Sequence, residues 1–339
     1  MAIGLQLLFN LPLIWGVSLT ITDTVLMLFL MNKGMRKLEA FIIAMISIIG
    51  LSYLIEMFIV GPDLPGIAKG FIPNNLFKGD KVSHEMLYIA IGIIGATVMP
   101  HNLYLHSSLV QTRQITRTDE GIKSAIKFNL FDTSIALNLA FFVNAAILIL
   151  AASAFFKNGY FEVAEIQDAY KLLEHIFGAL APTLFAVALI ASGQSSTITG
   201  TLAGQIIMEG HINLRIEPWL RRLLTRLLAI LPAVFTIVYF GDSGLGSLII
   251  LSQVVLSLQL GFAIIPLIHF TSDRKRMGKF AISTKTKIVA WACAILIIGL
   301  NGKLVIDQLD DWIKQYPFAA VWIYALVIPV TVGIAVLLV

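Results

Sequence analysis

Ile89 to Arg113 reads IAIGIIGATVMPHNLYLHSSLVQTR, and the fold depends on how this run is interpreted. It starts as an apolar helix thinned by Ala90, Gly92, Gly95 and Ala96, and it is long enough to cross a bilayer, which takes about 20 residues. In its middle stand Thr97-Val98-Met99-Pro100-His101-Asn102. Proline lacks a backbone donor, and its ring clashes with the carbonyl four residues back. The sequence therefore predicts a broken helix over 86–112, with carbonyls free before Pro100 and N–H groups free after it. At membrane depth such a break survives only where protein or a water-filled cavity covers it. A thioether (Met99) and two imidazoles (His101 and His106) lie on the broken segment, which reads as a site.

The rest of the chain supplies a membrane around that run. Of 339 residues, 58% are hydrophobic and 13% charged, and mean hydropathy is +0.88. Soluble domains are about a quarter charged. The expectation is an all-α polytopic membrane protein, a single transmembrane domain over 1–339. Spanning helices are predicted at 12–31, 38–60, 86–112, 121–156, 180–209, 216–240, 244–270, 284–305 and 317–339. Cys293 is the single cysteine, which excludes an internal disulfide and a thiolate cluster. Residues 1–31 are too long for the apolar core of a cleavable signal. Met1 to Phe9 is apolar with no polar lead, and Asn10-Leu11-Pro12 interrupts it. About ten apolar residues do not span. Residues 1–10 read as the stub of a preceding helix, in a chain truncated at its N-terminus.

Charge sorts the connections. Loops 32–37, 113–127, 211–222 and 273–287 are basic. The alternate connections are mixed or acidic: Asp63 to Glu85, then Glu162, Glu165, Asp168 and Glu174, then Asp242, then Asp307, Asp310 and Asp311. By the positive-inside rule the basic loops are cytoplasmic. The net charge of +4 belongs to those loops and is no sign of nucleic acid. Turn residues fill 61–66 and 73–75. Between Val163 and Phe177, Ile166, Tyr170, Leu173 and Phe177 share one helical face, the pattern of an amphipathic surface helix.

Pro100 leaves the Ala96 carbonyl without its helical donor, and Met99 Sδ follows on the same unwound stretch. A thioether is a poor ligand for Mg²⁺ or Ca²⁺ and a fair one for softer transition metals, so the pair discriminates by softness. His101 and His106 are five apart, about 140° around a helix, and do not ligate one ion together. Imidazole titrates nearest neutral pH, which favours a proton relay over ligation. Asp132 reads equally as an ion-pair latch or as a capped polar residue. Asn138 and Asn144 read as bonding across helices. Asp23 and Glu56 read as solvated span ends. The small and polar run Gly193 to Gln205 reads as close helix packing glued by hydroxyls, or as the lining of an inner aqueous path. Arg221, Arg222 and Arg226 fit snorkelling side chains at a cytoplasmic helix end. Gln253, between polar Ser252 and Ser257, is a better pore candidate than Gln259.

These residues resemble a known family. Met99-Pro100-His101-Asn102, flanked by Gly95-Ala96-Thr97-Val98 and by Leu103-Tyr104-Leu105-His106-Ser107, is similar to the sixth transmembrane helix of the Nramp family. Ala191-Ser-Gly-Gln-Ser-Ser-Thr-Ile-Thr-Gly-Thr-Leu-Ala-Gly-Gln-Ile-Ile-Met-Glu-Gly210 resembles that family's transport signature, and Ser252 to Leu260 and Asn129 to Asp132 also agree. The resemblance implies proton-coupled secondary transport of Mn²⁺- or Fe²⁺-like divalent ions in a LeuT-like inverted-repeat fold, with no resident cofactor and no enzymatic activity. The partners it implies are the metal ion, protons and the lipid bilayer. It implies metal ligands in the Ala96 carbonyl and Met99 with Gln253 facing the ion, and a proton pathway through His101, His106, Arg221 and Arg222.

One departure bears on the site. The family's Asp-Pro-Gly-Asn motif, which supplies a carboxylate and an amide, does not occur; Asp63-Leu64-Pro65-Gly66 lies in a loop with Leu64 inserted. By the family's helix order the first helices are absent from this chain, its nine spans are helices four to twelve, and it carries half of a metal site. The alternatives are a LeuT-like carrier of a small organic solute and a transport-inactive fragment. No His-Glu-x-x-His or equivalent supports an intramembrane enzyme.

Overall fold

Helix ends follow local chemistry. Asp119–Ala154 starts where Thr118 Oγ1 accepts the Gly121 N–H at 3.2 Å, with Asp119 and Glu120 in the positive first turn. Met35–Val60 stops at Gly61, whose φ of 59° lies in the left-handed region that favours glycine, and Gly61 N–H closes on the Met57 carbonyl. Pro218 opens Pro218–Phe240 at its first turn, where proline is tolerated.

In a computed structural model these residues form an all-helical chain. It describes residues 1–22, 29, 34–70, 84–161, 163, 165–211, 217–241, 244–315 and 333. The helices are α1 (Ala2–Phe9), α2 (Leu13–Leu19), α3 (Met35–Val60), α4 (Leu64–Gly70), α5 (His84–Thr97), α6 (Pro100–Gln111), α7 (Asp119–Ala154), α8 (Ile166–Phe177), α9 (Leu180–His211), α10 (Pro218–Phe240), α11 (Gly244–Ser272), α12 (Arg274–Met277) and α13 (Thr284–Gln315). The break falls where the sequence places it, between α5 and α6. The amphipathic segment is α8. The apolar opening segment is α1, closed by Asn10 at φ 52°. The turn stretch after Gly61 turns briefly and then forms α4. The predicted span 317–339 lies outside the described residues, as do Asp23 and most of the second half of 12–31.

Five stretches among the described residues are long and apolar enough to cross a membrane: 36–60, 88–111, 119–158, 248–272 and 284–307. Phe128, Phe131, Leu137 and Phe142 of α7 are each about two-thirds exposed. Water does not tolerate such a surface at this extent, and lipid does. α9 is long enough but falls outside the five, since Gln194, Ser195, Ser196 and Thr197 interrupt its apolar run.

The chain divides into two compact units. The first comprises 1–73 and 104–248. Its core is α3 against α9: Leu38 with Ile198, then Tyr53 with Ala188 and, from α7, Leu150. Ala181, Ala186, Ala188, Ala191 and Ala203 are buried along α9, and small side chains let backbones approach where lipid gives no hydrophobic drive between helices. The hydroxyls do less across helices than the sequence suggests. Thr199 Oγ1 bonds the Ser195 carbonyl and Thr201 Oγ1 the Thr197 carbonyl, one turn back in α9 itself. Asn138 corrects the same expectation, since its Nδ2 donates to the Ser134 carbonyl of its own helix at 2.7 Å. An amide one turn from a main-chain oxygen needs no second helix.

The second unit comprises 74–103 and 249–339. Ile91 of α5, Val254 of α11 and Leu304 of α13 form its buried cluster, with Tyr88 and Leu300 against it.

Candidate functional site

The break is short. Thr97 Oγ1 donates to the Ile93 carbonyl at 2.8 Å, and Val98 N–H donates to the Ile94 carbonyl at 2.8 Å, which ends α5. Pro100 is already the first residue of α6, where its absent N–H costs nothing. Only Val98 and Met99 stand between the helices. Asn102 N–H donates to the Met99 carbonyl at 3.1 Å, which satisfies the new helix's first turn. Among the described residues no backbone N–H reaches the Ala96 carbonyl. Ala96 is exposed, Met99 half-buried and Pro100 buried. The freed oxygen belongs to the last turn of α5, and the thioether stands three residues on in the two-residue break.

α11 packs on the glycine face of α5. Gly92 faces Ile250 and Val254, where an added Cβ would make ordinary contact at 3.8 and 3.7 Å. Gly95 sits on the main-chain carbonyl of Gln253, and a Cβ there would also come within 3.0 Å of Ser257 Cβ. Glycine at 95 is what lets the two backbones meet one residue before Ala96. Gln253 Nε2 donates to Ser252 Oγ at 3.2 Å. Its Oε1 is buried and has no hydrogen-bond partner. A buried amide oxygen left unpaired costs about 1–3 kcal/mol, and a cation ligand would offset that cost. Ala96, Met99 and Gln253 belong to one compact unit.

The donor set is one main-chain oxygen, one amide oxygen and one sulfur, all neutral. No group of three or more His, Cys, Asp or Glu able to hold a metal occurs among the described residues.

His101 lies half-buried in the first turn of α6, in the second unit; His106, exposed, lies past the boundary at Tyr104, in the first. Arg221 and Arg222 are the fourth and fifth residues of α10, and their side chains lie outside the described residues. Asp132 forms an ion pair with Arg113, Nη2 to Oδ2 at 3.1 Å, with the two side chains 61% and 50% exposed. The pair joins the segment after α6 to α7.

Two features escaped the sequence. Asn301, 8% exposed in α13, donates Nδ2 to the Ser257 carbonyl at 3.2 Å and to the Ile297 carbonyl at 3.0 Å. It ties α13 to the residue beside Gly95. The signal was an amide inside the apolar run Ile295 to Leu304. Glu56 is the second, and it corrects the reading as a solvated span end. It is 2% exposed, because α7, α8 and α9 cover the C-terminal end of α3.

The model of the family described as natural resistance-associated macrophage protein-like, Nramp, matches residues 1–307. A divalent metal cation transporter MntH of Nostoc sp. is 53% identical over 317 residues, covering 93% of this chain and 71% of that protein. MntH of Listeria monocytogenes is 55% identical over 311 residues, covering 91% and 69%. Crystal structures of a manganese transporter of Eremococcus coleocola superpose with a TM-score of 0.85 at 36% identity, covering 99% of this chain and 73% of the solved one.

Proposed function

The chain belongs to the Nramp family, and from that membership we propose that it is a multi-pass membrane transporter of Mn²⁺- or Fe²⁺-like divalent cations, driven by protons through alternating access. The metal is substrate, not a resident cofactor. The observation that carries this reading is the two-residue break at Val98 and Met99, which leaves the Ala96 carbonyl without a donor beside a thioether.

In this mechanism the ion exchanges part of its water shell for the Ala96 carbonyl and Met99 Sδ. Gln253 Oε1 is the third ligand, supported by its lack of any other partner. The oxygens accept any divalent cation, whereas sulfur penalises hard ions that hold water strongly. Three neutral donors leave the ion's charge uncompensated at low dielectric, so an anionic ligand beyond them completes the site. His101 and His106 serve the proton pathway, His101 nearest the ion, with Arg221 and Arg222 as its inner outlet. Residues 1–339 act as one transmembrane domain, and the basic loops 32–37, 113–127, 211–222 and 273–287 face the cytoplasm.

The test is transport by the full-length protein in vesicles loaded with a Mn²⁺-quenched dye. Saturable quenching that speeds up when the outside is acidified is expected. Quenching that does not saturate with Mn²⁺, or that ignores the proton gradient, overturns the reading.

A further inference from the structure

Glu56 has no use in metal transport as described above, and its setting is unusual. It lies on the same face of α3 as Tyr53, one turn away. Its Oε1 is buried without a hydrogen-bond partner. Both residues line a cavity of about 210 Å³ under α8, and Glu165, which precedes α8, lines it too. The remaining wall is apolar and aromatic, with Leu150, Phe155, Leu173 and Phe185 prominent.

The second carboxylate is already placed. Glu165 makes no side-chain cap to α8. It lies instead against the first turn of α11, where a Cβ on Gly246 would come within 2.7 Å of Oε2. The positive end of a helix favours a carboxylate there. Glu56 has no such compensation, and a carboxylate sunk in apolar surroundings is costly until a positive partner arrives.

We propose that this cavity is a second binding site, for a small primary ammonium ion with an apolar body. An ammonium head donates three hydrogen bonds, and Glu56, Glu165 and Tyr53 offer three oxygen-bearing side chains. An aromatic and aliphatic wall suits the hydrocarbon portion and adds attraction between cation and ring. A bare hard dication fits the wall poorly, because it asks for six to eight oxygens. The site is in the first unit, apart from Ala96, Met99 and Gln253 of the second.

The probe is phenethylammonium chloride, titrated calorimetrically into the detergent-solubilised full-length protein, with 2-phenylethanol as the neutral isostere and Ca²⁺ as the hard cation. Saturable phenethylammonium binding is expected, weakened at least tenfold by Glu56→Gln and also reduced by Gly246→Ala, which pushes Glu165 aside without touching α3. Mn²⁺ binding retained in both variants shows that they are folded. Equal binding of 2-phenylethanol, binding of Ca²⁺ in place of the ammonium, no binding up to millimolar probe, or binding indifferent to Glu56→Gln would each overturn the proposal.

Discussion

Gly95 rests on the main-chain carbonyl of Gln253, so the residue before the Ala96 oxygen donor touches the residue carrying the amide donor. Two proposed ligands, 157 positions apart in the chain, thereby share one backbone contact.

Gly95→Ala is expected to separate α5 from α11, because the obstacle is backbone and does not swing away. Overpacking of this kind costs about 1–3 kcal/mol. Thermal unfolding in detergent should report that loss, and Mn²⁺ affinity should fall with it. Gly92→Ala is the control: its Cβ meets only side-chain methyls at 3.7 and 3.8 Å, and it should be mild in both measurements.

Met99→Ala removes the one sulfur of the proposed donor set. Discrimination of Mn²⁺ against Ca²⁺ should drop by about tenfold, or roughly 1.4 kcal/mol. Competition of Ca²⁺ with Mn²⁺ in equilibrium binding measures it. Unchanged discrimination would remove sulfur from the site.

Gln253→Leu should separate binding from stability. The substitution abolishes a buried oxygen that has no partner and sacrifices one 3.2 Å bond to Ser252. These nearly cancel, since a net hydrogen bond is worth about 1 kcal/mol. Unfolding temperature should hardly move while the Mn²⁺ dissociation constant rises several-fold. A protein that loses stability and keeps its affinity would assign Gln253 to packing.

Asp132→Asn breaks an ion pair whose two side chains are at least half exposed. Exposed pairs contribute about 0–1 kcal/mol. Static stability should change within that range. A transport rate that falls by much more, with Mn²⁺ affinity intact, would identify the Arg113–Asp132 tie as a moving latch.

The break, the long helices and the surface helix α8 were legible because each rests on local chemistry. Pro100 cannot continue a helix, Thr118 and Gly61 mark helix ends, and the face from Ile166 to Phe177 has a clear period. Candidate ligands were legible for the same reason: a proline frees a carbonyl at a fixed offset. Burial was not. Glu56 reads as the polar end of a span until α7, α8 and α9 are seen to cover it. Asn138 reads as a bridge between helices, yet a main-chain oxygen one turn back captures it. The Gly95–Gln253 contact joins segments that no local pattern relates.

The shortness of the break has a consequence for affinity. Two residues leave the backbone little slack, so the Ala96 carbonyl and the Met99 main chain hold a near-constant separation, while the thioether itself turns on three rotatable bonds. Gln253 meets Gly95 through its main-chain carbonyl, and Ala96, Met99 and Gln253 all belong to one compact unit. An ion held by these proposed ligands orders two side chains on a backbone already in place, and so spends less of its binding free energy on ordering than it would on an unstructured loop.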